Sequence, residues 1–235
     1  MLVACFLNLV RQHMQIQRQN FARIGTLTHL FADACERGYD QFIDLSEKIK
    51  VFEPSDYAPE HVEAERLRDI AGLQTIVFSG MCFESAIYEY AADHLGDAYV
   101  KEHLDKLDVL SKWVIVMRLV AGYEFQKDLA PYSALKGLVS ARNRLVHSKS
   151  EPYNFANPRD QLDRLMAEEQ KLVLSVHNAY RAIPLISLEL ESALGSLNNP
   201  LPSFDPEVCP ALVIPKNLQQ TIADCRSILS KAKKS

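Results

Sequence analysis

The chain has 235 residues, 48% of them hydrophobic, which suffices for one large domain or two small ones with a sizeable core. Charged residues make up 24% and the net charge is −4, which excludes a disordered tail and a generally basic nucleic-acid coat; a polyanion would need a local basic patch. Only 8 residues are Gly, so the composition leans helical rather than sheet-rich.

The opening stretch MLVACFLNLV is apolar. With no basic residue before it and no small-residue cleavage site after it, it reads as a helix start or an over-called start site rather than a signal peptide. From Arg18 to Ile49, Phe21, Ile24, Leu27, Phe31, Cys35, Tyr39, Phe42 and Ile49 recur mostly at three- and four-residue steps, which predicts one face of a helix with Gly38 as its weak point. VFEPSDYAPE reads as a linker. A second long helix is predicted from Pro59 to Leu95, ended by Gly96, and a third from Ala98 to Ala121, with Leu104, Leu107, Leu110, Trp113, Val114 and Met117 inward and Gly122 as the break. Pro131 suits the first turn of a helix running to His147. SKSEPYNFANP is a loop.

A long helix follows from Pro158, with Leu162, Leu165, Leu172, Val176, Ala179 and Ile183 inward, and Pro184 is expected to kink or break it. The five-proline segment LNNPLPSFDPEVCPALVIP reads as an extended crossover, in which ALVI is too short to count as a strand. A last helix over 217–231 ends in a basic KAKK that complements its dipole. No apolar run reaches the ~18 residues of a membrane span. The five cysteines form no CxxC, which fits reduced, mostly buried thiols in a cytoplasmic protein and no zinc site.

Two charges stand out against this pattern. At about 100° per residue, Ala134, Leu135, Leu138, Val139, Ala141, Leu145 and Val146 fill one arc of the 131–147 helix, and Arg142 falls near its centre. Asn143 and His147 stack at the edge of that arc, with Lys136 and Ser140. On the 73–95 helix, Glu84 falls near the centre of the arc that holds Leu73, Ile76, Val77, Gly80, Met81, Phe83, Ile87 and Tyr88, while Glu89 and Asp93 lie opposite. A charge on a core face needs a partner. The simplest solution is that the two arcs face each other and Glu84 meets Arg142, either as a structural salt bridge or as part of a site.

Arg142-Asn143-Arg144-Leu145-Val146-His147 fits the pattern R-N-x-x-x-H at the end of a helix in an all-helical chain. This resembles the HEPN superfamily of higher-eukaryote and prokaryote nucleotide-binding domains. The segment FESAIYEYAADHLGDAYV and the following LSKW are also similar to the helices that precede the motif there. The resemblance covers about residues 66–195. It implies an all-α helical bundle for that core; the chain as a whole reads as a single domain over 1–235, in which an N-terminal helical extension over 1–55 and a Pro-rich segment with a C-terminal helix over 198–235 lie outside the resemblance.

Many members of that superfamily are metal-independent endoribonucleases of toxin–antitoxin and phage-defence systems. The implied chemistry is attack of an RNA 2′-hydroxyl on the adjacent phosphorus. His147 would be general acid or base and Arg142 would hold a phosphate oxygen. Asn143 would position the imidazole or the phosphate, and Glu84 would orient Arg142. Neither metal nor cofactor is implied. The expected partners are a second copy of the chain across the motif, RNA, and an antitoxin or defence protein, with no membrane. Lys136, Arg144 and Lys149 would add RNA-binding charge, and Tyr153 and Phe155 are available to stack on a base. Trp113 and the Tyr88/Tyr90 pair read as core, and His94, His103 and His177 as structural or surface residues. Two readings compete with the ribonuclease: a non-catalytic module of the same fold that binds a nucleotide or RNA end or acts as a dimeric scaffold, and a helical partner-binding protein docking through 200–215.

Overall fold

Proline and glycine punctuate the chain much as their backbone chemistry dictates. In the computed structural model, which describes residues 23–51, 58–147, 149, 150, 152, 157–209 and 213–232, Pro59 and Pro158 stand at helix starts, where a missing N–H costs nothing. Gly96, Gly122 and Gly195 follow helix ends with positive φ. The main helices are α1 (Thr28–Ile49), α2 (Pro59–Leu95), α3 (Val109–Ala121), α4 (Ala130–Val146), α5 (Pro158–Leu194) and α6 (Lys216–Ala232). Among the described residues there is no strand, so the fold is all-α.

Helix α2 is the central element and packs against α1, α3, α4 and α5. It has the length and apolar composition of a membrane span, but 56% of its most apolar window is covered inside the bundle, as in a core helix. The pairings fix the directions. Phe42 faces Gly72 and Phe31 stacks on Phe78, so α1 runs antiparallel to α2. Gly72 meets Val176 and Ser79 donates to the Ala179 carbonyl, so α5 runs parallel to it. One apolar core takes in Cys35, Tyr39 and Phe42 of α1 and Leu218 and Ile222 of α6 together with the middle helices. Helices α1 and α6 are therefore built into the bundle.

Four expectations need correction. Helix α1 begins at Thr28, not near Arg18; residues 18–22 lie outside the described residues, Gly25 takes φ 78° and Ile24 is fully exposed. Gly38 is not a weak point but a contact. A Cβ there would come within 3.0 Å of Thr75 Oγ1 and 3.1 Å of the Ala71 carbonyl, so its bareness lets α1 lie close on α2. The predicted 98–121 helix is interrupted: Asp97–Tyr99 runs into a π-helical turn over Val100–Leu104, and α3 restarts after Asp108, whose carboxylate accepts from the Ser111 N–H at 3.0 Å. Finally, α5 continues through Pro184, whose ring is buried with Ile183 and Leu185; packing on both sides offsets the roughly 3 kcal/mol that an internal proline costs.

The same helix departs from expectation at its start. Leu162 and Leu165 are 57% and 61% exposed. Helix α5 has 37 residues against 17 in α4, so its first half runs on past the last turn of α4. Arg68, which is buried, ties that overhang to α2 through Glu169 at 2.9 Å and also binds Asp69 at 2.8 Å.

Close approach at Gly72 makes a direct test of the α1–α2–α5 junction. A Cβ there would sit 2.8 Å from Val176 Cγ2 and 3.3 Å from the Phe42 ring. Gly72→Ala is expected to lower stability by about 1–3 kcal/mol through overpacking, despite alanine's better helix propensity. Urea denaturation measures it, and an unchanged or higher midpoint would contradict this packing.

Candidate functional site

Helices α2 and α4 cross antiparallel, and small residues let them meet. A Cβ on Gly80 would lie 3.0 Å from Arg142 Cγ and 3.4 Å from its Cβ, so the aliphatic stem of Arg142 rests on bare α2 backbone. One turn further along α2, Glu84 meets the guanidinium: Arg142 Nη2 donates to Glu84 Oε2 at 3.4 Å. Arg142 Nη1 donates to Asn143 Oδ1 at 3.2 Å. The two charges placed on different apolar arcs by the sequence thus come together. Gly80 was legible only as part of an apolar stripe; its spacing of four residues from Glu84, on one helix face, is the signal for the seat of Arg142.

The pair is not sealed. The side chains of Arg142 and Glu84 are 31% and 44% exposed, so the expectation that both charges sit at the centre of a core face is corrected. The reason lies in α2. Its deeply buried line runs through Thr75, Ile76, Ser79, Cys82, Phe83, Ala86 and Ile87, while Leu73, Val77, Gly80, Met81, Glu84 and Tyr88 form a half-covered seam beside it. The crease at that seam, lined by Gly80, Phe83, Val109, Leu138, Val139, Arg142 and Asn143, encloses about 10 Å³, room for about one water. A phosphate would have to lie on its rim.

His147 is the C-cap of α4, and its backbone N–H donates to the Asn143 carbonyl at 3.0 Å. It is exposed, and its imidazole has no hydrogen-bond partner among the described residues. Lys136, Ser140, Asn143 and His147 are all exposed and follow one another at three- or four-residue steps, which makes a single polar stripe along α4. Lys149 is exposed just beyond it. Arg144 points elsewhere: its Nη2 donates to Ser175 Oγ at 3.0 Å on α5. Ser148, Tyr153 and Phe155 lie outside the described residues.

The residues read as structural have structural partners. Trp113 is fully buried and donates its indole N–H to the Phe83 carbonyl at 2.9 Å. His94 is buried against the Tyr90 carbonyl at 2.8 Å, whereas His103 is exposed. His177 is half-buried, and its Nδ1 is 2.8 Å from the Tyr39 hydroxyl at the wall of an open cleft.

Comparison with family models, with curated proteins and with solved structures finds no match to this chain.

Proposed function

We propose that the chain is a metal-independent endoribonuclease of HEPN type, acting as a cytoplasmic homodimer in a toxin–antitoxin or phage-defence setting. The observation that carries this reading is the state of Arg142. A guanidinium has five N–H donors in a planar fork. Only two contacts, to Glu84 and Asn143, engage it among the described residues, and both are long. Donors are left for a phosphate oxygen, and an exposed imidazole lies on the same end of the same helix.

In the proposed reaction the RNA 2′-hydroxyl attacks phosphorus, the P–O5′ bond breaks, and the products are a 2′,3′-cyclic phosphate and a 5′-hydroxyl. His147 takes the proton from the 2′-hydroxyl or gives one to the departing 5′-oxygen. Arg142 holds a non-bridging oxygen and stabilises the charge that builds on it. Glu84 is a positioning residue that aims Arg142, and Asn143 braces the guanidinium. Lys149, two residues past His147, and Lys136, about three turns earlier on the same stripe of α4, add positive charge along the strand path. Because one chain supplies one His147, a second copy across a two-fold axis would supply the complementary acid or base. Exposed apolar Val146 (55%) and Leu73 (39%) near the motif give such a contact something to bury.

The test is incubation of the purified protein with RNA in EDTA. Expected is cleavage that leaves cyclic-phosphate and 5′-hydroxyl ends; an inert wild-type protein at high enzyme concentration refutes the reading. The alternative, a non-catalytic scaffold of the same fold, is favoured by one observation, that Glu84 already pairs with Arg142. The cleavage assay separates the two, and the seat of Arg142 is then tested by Gly80→Ala. It pushes the Arg142 stem off α2, so it should reduce cleavage several-fold while stability changes by about 1 kcal/mol or less, since alanine also favours the helix. If it lowers stability alone, in an enzyme whose cleavage is unchanged, the seat of Arg142 matters only for packing.

A further inference from the structure

A second cluster of polar and charged side chains lies away from the motif, where α1, α5 and α6 meet. It opens as a cleft of about 540 Å³, within the size range of small-molecule sites. His177 and Arg181 enter it from α5, one helical turn apart, and Tyr39 from α1. Helix α6 buries Leu218, Ile222, Cys225 and Leu229 and turns the neighbouring stripe of Thr221, Asp224, Ser227 and Lys231 into the cleft.

The charges here are unbalanced. Arg181 is half-buried and forms no ion pair among the described residues. Its near neighbours do not supply a countercharge. Burial pushes the Cys225 thiol up to about 11 against the pull of Arg181, and burial likewise raises the Tyr39 phenol, so both stay neutral. Lys231 adds a second cation on the exposed rim. The single carboxylate in the lining, Asp224, is exposed and is engaged by Gln220 Nε2 at 2.8 Å on its own helix. The guanidinium fork of Arg181, facing the cleft without a carboxylate partner, is left with donors that an anion can complete.

We infer that this cleft is a binding site for a phosphate monoester, held by the Arg181 fork and Lys231 with hydroxyl donors from Thr221 and Ser227. Arg181 supplies the planar pair of donors that matches two phosphate oxygens. Tyr39 is buried, stacks on Tyr180 with ring centres 4.4 Å apart, and meets His177 Nδ1, which fixes the imidazole at the back of the site. The remaining volume accommodates an organic group on the ester. This site shares no residue with Arg142 or His147, so it stands or falls independently of the ribonuclease reading.

His177 is a built-in reporter. Burial first, then Arg181 and Lys50, hold its imidazole below the usual value. The other groups that face it are Tyr39 and the Phe42 edge from α1, and the cleft wall of α6 carries Asp224 and Lys231. A bound dianion offsets the two cations and must move its titration upward.

The experiment follows the His177 C2–H resonance by NMR, assigned with His177→Gln, in full-length protein at constant ionic strength. One arm adds inorganic phosphate and the other a nucleoside 5′-monophosphate. Expected is a saturable shift of the His177 signal and a rise of its titration midpoint. Arg181→Ala should weaken the affinity about tenfold or more, since it withdraws the paired charge-assisted hydrogen bonds, and Lys231→Ala, on the exposed rim, a few-fold. Arg142→Ala should leave it unchanged. Tighter binding in the nucleotide arm supports the ester as the ligand, and binding of inorganic phosphate as tight or tighter overturns the assignment to a monoester. A His177 signal unmoved in both arms overturns the inference. So does a shift that is the same in folded Arg181→Ala and Lys231→Ala as in the wild type.

Discussion

Replacing His147 by alanine is expected to slow RNA cleavage by about 10²–10⁴-fold, the range that one positioned acid or base contributes. The same change should leave stability within about 0.5 kcal/mol, because the imidazole is exposed and makes no hydrogen bond among the described residues. That pairing of a large kinetic effect with a flat melting curve is what distinguishes chemistry from packing. Arg142 behaves differently. Its stem lies on Gly80 and its head on Glu84, so Arg142→Ala removes packing as well as charge. Arg142→Lys is the cleaner variant. It keeps a cation and a flexible stem but loses the fork, and cleavage should fall while the fold persists. The measurements are initial rates on a labelled RNA beside thermal melts of each protein. His147→Ala cleaving at the wild-type rate would remove His147 from the proposed reaction.

The sequence made helices legible where punctuation is strong. Pro59, Gly96, Gly122 and Pro158 mark boundaries that the structure keeps, because each acts through its own backbone chemistry and needs no tertiary context. The meeting of Glu84 and Arg142 was also legible, since two opposite charges on apolar arcs have few other solutions. What hydropathy misplaced was depth. Ser79 and Thr75 are fully buried although polar, because Ser79 donates to Ala179 on α5 at 2.8 Å and Thr75 donates to the Ala71 carbonyl at 2.8 Å. Close-packed helices meet through small side chains, so the true centre of α2 runs along residues that a hydrophobic count passes over. Larger apolar residues such as Leu73 then fall on the seam and drag the apparent centre toward Glu84.

A similar logic explains α5. Three- and four-residue spacing places Leu162 and Leu165 on the face that continues into Val176 and Ala179, but periodicity carries no information about where a neighbouring helix stops. The break before α3 was available in principle: Asp108 stands three residues before Ser111 and caps it, a local signal stronger than the apolar spacing that runs across it. The cleft of Arg181 could not have been read at all, since it joins residues from three helices separated by most of the chain.

The largest effect on the fold is expected at Trp113. It is fully buried, meets Phe83 edge to face with ring centres 5.3 Å apart, and lies 6.4 Å from Phe125 in a second edge contact. It is the only tryptophan of the chain, and it pins α3 to α2 beside the crease where Arg142 rests. Trp113→Ala should cost about 3–5 kcal/mol, from lost burial and the cavity that remains. Trp113→Phe keeps an aromatic ring but withdraws the N–H from the Phe83 carbonyl. That carbonyl belongs to α2, so it keeps its helical partner, and the hydrogen-bond term should be only about 1 kcal/mol. Urea titrations followed by far-ultraviolet circular dichroism serve all three proteins, since both variants lack the indole fluorophore. If packing at this junction is what holds α3 in place, the alanine variant falls several kcal/mol below the phenylalanine one. Trp113→Phe then still cleaves RNA, because no reacting group has moved. Equal losses in the two variants would shift the weight to the single hydrogen bond and deny the ring its place in the core.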